Sequence, residues 1–120
     1  MSHAPIALCA GDASRAASWR DSLRAALPDV PLALWPEASP DAECAIVWGP
    51  GQAFIDAHPR LRLLFNMGAG VDALLRLRLP PGARMVRIED GGMAVQMADY
   101  VCHAALGHLR EFDRYAEQAA

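Results

Sequence analysis

The chain has 120 residues, a formal net charge of −3 and 53% apolar side chains, enough for one domain with a real core but short for an α/β enzyme. Its 11 side-chain cations are all arginine and form no basic patch, so no nucleic-acid partner is expected. Cys9, Cys44 and Cys102 are odd in number and lack C-x-x-C spacing, which argues for a reducing compartment and against a structural zinc. No apolar run reaches membrane length and no signal-peptide pattern opens the chain, so the expectation is a cytoplasmic protein without a membrane partner.

Strand and helix signals alternate. Ile6–Cys9 reads as a short buried strand running into Ala10-Gly11-Asp12. Asp12 or Ser14 can cap a helix whose Trp19, Leu23 and Leu27 form one apolar stripe, and Pro28 stops it. Leu32–Trp35 is a second strand, followed by a proline- and acid-containing loop to Asp41. Cys44–Trp48 is a third, opening into Gly49-Pro50-Gly51 and a short helix over Gln52–Ala57 that ends before Pro59. Leu63–Phe65 is the fourth strand, and the stretch that follows it organises the chain. There Gly68 and Gly70 allow positive φ and leave no Cβ in the way, so a small anion can approach the backbone amides, beside a two-turn helix from Val71 to about Arg78 with Asp72 as its N-cap candidate. Pro80-Pro81-Gly82 closes that helix, and Met85–Ile88 is the fifth strand.

Met93 to about Gln118 contains no proline and one glycine, Gly107, which predicts a single helix of roughly 40 Å at 1.5 Å per residue. Through Leu109 its apolar residues lie on every side, so it needs a second surface from a partner chain or another domain. The five strands and their crossovers imply an α/β fold with an open, doubly wound parallel sheet in flavodoxin-like order. Glycine loops then gather at the carboxyl edge of the sheet, where ligands bind in such folds; ordinary turn chemistry is the plain alternative for any one of them.

Gly68-Ala69-Gly70-Val71-Asp72-Ala73 fits G-x-G-x-x-[GA], with Glu89 and Asp90 about twenty residues on. It reads as a false match to a dinucleotide fingerprint, because the crossover helix is short, Pro80-Pro81 cuts it, and three strands precede it. His3, His58, His103 and His108 share no metal spacing, and no nucleophile-elbow motif exists. A response-receiver reading fails for want of a second acidic residue after the first strand and of any lysine. Trp19 and Trp35 are expected in the core, and Trp48, beside a glycine loop, either in the core or in a pocket wall.

Leu64-Phe65-Asn66-Met67-Gly68-Ala69-Gly70-Val71-Asp72, followed by Val86-Arg87-Ile88-Glu89-Asp90-Gly91-Gly92-Met93-Ala94-Val95-Gln96-Met97-Ala98-Asp99-Tyr100-Val101, resembles the D-isomer-specific 2-hydroxyacid dehydrogenases. Ile46-Val47-Trp48 and Gly92-Met93 to Gln96-Met97 look most like the glyoxylate/hydroxypyruvate reductase A subgroup. The resemblance covers essentially the whole chain. It implies that residues 1–90 are the N-terminal part of a substrate-binding domain and that 91–120 form a long helix leading to a Rossmann domain absent from this chain. It further implies a small 2-oxo acid substrate held by amides from Met67, Gly68, Ala69, Gly70 and Val71, walled by Trp48. Met93 would sit near the cofactor. The family's catalytic arginine, glutamate and histidine and its nucleotide fingerprint lie beyond residue 120, so no catalytic residue and no tightly bound cofactor are expected in this chain. NADPH or NADH would serve the complete enzyme, and the helix or the missing domain would form a homodimer. The alternative is a free-standing flavodoxin-like binding or dimerisation module without catalytic activity.

Overall fold

Adjacent residues Ala7 and Leu8 point to opposite faces of their strand and both are fully buried, which requires a sheet covered on both sides. The computed structural model describes residues 5–119, and His3 lies outside them. Five parallel strands, β1 (Ile6–Ala10), β2 (Leu32–Leu34), β3 (Cys44–Trp48), β4 (Leu63–Asn66) and β5 (Arg84–Arg87), lie in the order β2-β1-β3-β4-β5. This is the flavodoxin-like arrangement expected from the sequence. Register runs Ala7↔Ala45↔Leu64↔Met85 across the sheet, so one row of small and medium apolar side chains floors one core.

That core holds Ala7, Ala45, Val47 and Leu64 from the strands, Phe54 and Ile55 from helix α2 (Gln52–Asp56), and Leu61 and Leu74 from the connections. Trp35 stands edge-on to Phe54, ring centroids 5.7 Å apart, and completes this layer. His58 is buried against both rings; its Nδ1 lies 2.7 Å from the Phe54 carbonyl oxygen, while Nε2 has no hydrogen-bond partner among the described residues. On the opposite face Leu8, Ala10 and Met67 pack with Ala16 of helix α1 (Ala13–Ala26). Asp12 caps α1 by accepting the Arg15 amide at 2.9 Å, and that hydrogen bond holds its carboxyl below the usual range.

Three expectations are corrected. The buried face of α1 is centred on Ala16 and Leu23; Trp19 is 43% exposed and Leu27 is exposed too, because a small residue lets the helix approach the sheet where a tryptophan would hold it off. The segment after β4 is a single 3-10 turn, Leu74–Arg76, preceded by Ala73 rather than capped by Asp72. The long helix is broken into α3 (Met93–Leu109) and α4 (Phe112–Ala119), with Glu111 in the left-handed region at φ 52°. Neither Gly68 nor Gly70 has positive φ; the left-handed glycines are Gly11, Gly49, Gly82 and Gly92.

The chain divides into two compact units, Met1–Glu89 and Asp90–Ala120. Within the second, Asp90 accepts the Gly92 amide at 2.8 Å just before α3 begins. α3 ends where the Arg110 amide donates to Leu106 and the Glu111 amide to His108. Arg114 then pairs with Glu111 at 2.9 Å across the first turn of α4. None of the residues of α3 is buried. No described helix is long and apolar enough to cross a membrane.

Leu64→Ala should destabilise the first unit by about 2–5 kcal/mol, the range for emptying a packed leucine site. Leu75→Ala, at an exposed position, should cost less than about 0.5 kcal/mol. Urea unfolding of both variants reads the difference, and equal losses would contradict this placement of the core.

A backbone loop as the candidate functional site

The carboxyl edge of the sheet places three strand-end residues at one loop. β3 ends on Trp48 and β4 on Asn66; β5 ends on Arg87, which is paired in register with Asn66 and shares its face. Between β4 and the 3-10 turn, Met67 to Val71 cross this edge, tied to the sheet by the Met67 amide donating to Val47 at 3.0 Å.

Asn66 is 4% exposed, and its Nδ2 donates to the carbonyl oxygens of both Gly68 and Gly70 at 2.8 Å. The amide orientation follows from chemistry: the flipped carboxamide would set its oxygen against two carbonyls. Arg87 Nη1 donates to the Ala69 carbonyl at 2.9 Å. Three consecutive loop carbonyls are thus held by side chains. No protein acceptor takes the amides of Gly68, Ala69, Gly70 or Val71 among the described residues. A run of unpaired loop amides has the chemistry to hold a small anion.

Gly68 is there for space. A Cβ built on it would lie 2.9 Å from Trp48 Cζ3, so the six-membered ring of the indole occupies the space a side chain would need. Trp48 is 47% exposed and stands beside the loop, outside the core. Met67 is buried in the α1-side core and contributes backbone rather than a pocket surface. Gly70 faces open space, with nothing within 4 Å of an added Cβ. Beside the loop, Val71, Leu75, Met85, Val86, Arg87 and Glu89 line a hollow of about 600 Å³. Met93 belongs to the second unit, where it opens α3 and is 60% exposed.

The structure thus gathers Trp48 and Met67 to Val71 and adds Asn66 and Arg87, which sequence reasoning had left out. The signal for Asn66 was a lone amide at the end of an apolar strand, two residues before a glycine.

The same stretch does not fit a dinucleotide. A pyrophosphate cradle needs a full helix N-terminus after the glycines, and here a three-residue 3-10 turn follows. Cys9 offers little as a nucleophile, since burial pushes its thiol up. No cluster of three or more His, Cys, Asp or Glu side chains suited to a metal occurs among the described residues.

No family model matches the chain. It is 36% identical over 110 residues to glyoxylate/hydroxypyruvate reductase A of Yersinia enterocolitica, covering 86% of this chain and 35% of that protein. A D-isomer specific 2-hydroxyacid dehydrogenase from Xanthobacter autotrophicus Py2, solved with NADPH and MES, superposes with TM-score 0.69 at 29% identity, covering 95% of this chain and 40% of that one. A D-isomer specific 2-hydroxyacid dehydrogenase family protein from Klebsiella pneumoniae 342 gives TM-score 0.73 at 29% identity, covering 99% and 38%. The chain is therefore homologous to a part of the D-isomer-specific 2-hydroxyacid dehydrogenases. Within that class its curated relatives are glyoxylate/hydroxypyruvate reductase A proteins, of whose length it spans about a third.

Gly68→Ala should force the Trp48 ring aside with a shifted indole N–H resonance, at a stability cost below about 1 kcal/mol because the half-exposed ring can move into solvent. Gly70→Ala should be close to neutral and leave that resonance in place. An unmoved Trp48 signal in Gly68→Ala would refute the contact.

Proposed function

We propose that this chain is the substrate-binding part of an NAD(P)H-dependent reductase that converts small 2-oxo acids, such as glyoxylate or hydroxypyruvate, to 2-hydroxy acids. One observation carries the reading: the consecutive unpaired amides at Gly68 to Val71 fit a carboxylate. Each charge-assisted hydrogen bond from such an amide contributes about 1.5–3 kcal/mol, enough to orient a ligand of a few atoms. In this reading Trp48 walls the carbon skeleton, the segment up to residue 90 is the N-terminal part of the substrate domain, and residues 91–120 lead to a Rossmann domain. The complete enzyme takes NADPH or NADH, which supplies the hydride; Met93 sits near it, and the acid–base and nucleotide-holding groups come from outside this chain. The work of the present residues is to bind and orient the acid. The setting is cytoplasmic.

The test is a titration of ¹⁵N-labelled residues 1–120 with oxamate, a carboxylate analogue of a 2-oxo acid, against uncharged oxamide. Oxamate should move the Gly68–Val71 amide resonances saturably, and oxamide should not. The same polypeptide with NADPH and glyoxylate should show no turnover above background. Equal responses to both ligands, or turnover by this chain alone, would defeat the reading.

The helical unit supports a second element of the proposal, a homodimer. Met93, Val95, Met97, Val101, Leu106 and Leu109 are all exposed. Covering each is worth about 1.5–3 kcal/mol, so several together drive association in water. Sedimentation of residues 1–120 should show self-association that a truncation after Asp90 abolishes. A monomer at all concentrations, with α3 strongly protected from hydrogen exchange, would contradict this.

A further inference from the structure

We infer that Asn66 and Arg87 are positioning residues for the substrate carboxylate, acting by turning the loop's peptide planes. The inference rests on the carboxylate reading of the loop and deepens it. In a trans peptide the carbonyl of one residue and the N–H of the next point in opposite directions. Asn66 holds the carbonyls of Gly68 and Gly70, and Arg87 holds that of Ala69. The N–H groups of Ala69, Gly70 and Val71 are therefore turned away from the two side chains that grip the carbonyls.

The two side chains can cooperate because they are register partners on adjacent parallel strands and leave the same face of the sheet. Asn66 is suited to the task because its NH₂ group carries two donors and is buried, where each unmade bond is costly. Arg87 forms no salt bridge among the described residues, so its guanidinium keeps both its charge and its spare N–H groups at the loop. Free in the polypeptide, a run of glycines and alanines would sample many peptide orientations; clamped at three successive oxygens, it presents one.

The experiment is the oxamate titration of residues 1–120 carried out on Asn66→Ala, Arg87→Ala and Arg87→Lys, with ¹⁵N heteronuclear NOE values recorded for Ala69 to Val71. Asn66→Ala should weaken oxamate binding about tenfold, the effect of losing bonds worth roughly 1–1.5 kcal/mol, and lower the loop NOE values. Arg87→Ala should do the same to a smaller extent, and Arg87→Lys should recover part of the affinity, because an ammonium can still donate to the Ala69 carbonyl. Arg87 is exposed, so its variants fold and decide the matter if Asn66→Ala does not. Unchanged affinity in folded Asn66→Ala and Arg87→Ala overturns the positioning role while leaving the carboxylate reading intact. A wild-type loop that ignores oxamate overturns both.

Discussion

A buried carboxamide governs how this fold turns into a site. Asn66 closes β4 with a side chain that the sheet buries and that must find partners. Its own strand cannot supply them, since the backbone there is committed to β3 and β5. The loop immediately beyond supplies two carbonyls, and the loop conformation follows from satisfying one buried NH₂ group. The order of causes runs from strand burial to amide satisfaction to peptide orientation.

The sheet can bury Asn66 because it is covered so economically. Alanines at 7, 38, 42 and 45 let the connections and α2 approach closely, and Phe54, Trp35 and His58 fill the space with edge-on and tilted ring contacts. The imidazole is an imperfection in that layer. Its Nε2 is buried without a partner, the kind of group tolerated where ring packing and one good hydrogen bond outweigh it. The α1 side rests on fewer residues, with Ala16 as its closest approach and Met67 linking the helix-side core to the loop.

Strand positions, their order, the Asp12 cap and the location of the loop were legible in the sequence, because apolar runs, prolines and capping residues are local signals. The features that escaped were set by neighbours distant in sequence. Of the two freedoms a glycine offers at position 68, positive φ is unused and the missing Cβ matters, and it matters for Trp48, twenty residues earlier, which the sequence does not reveal. Trp19 was assigned to a stripe by spacing alone, while the depth of the helix on the sheet was decided by Ala16. The turn after β4 shrank because the chain must reach Pro80 and Pro81 with Gln52 holding Arg78 from both its amide and its carbonyl. The break at Glu111 carries no glycine or proline, and no local rule marks it.

A cradle made of backbone amides recognises a carboxylate through groups that every residue possesses, so it cannot by itself distinguish one acid from another. Discrimination must come from side chains facing whatever lies beyond the carboxylate, and on this edge of the sheet the large exposed side chain against the loop is Trp48. Its ring is seated on Gly68, whose carbonyl is one of the two that Asn66 grips. The wall and the cradle therefore share a residue. A change that lifts the indole also tilts a peptide plane of the amide run, and a change in the amide run shifts the indole. Under the proposed function, selectivity and carboxylate affinity are coupled through the contact between Trp48 and Gly68.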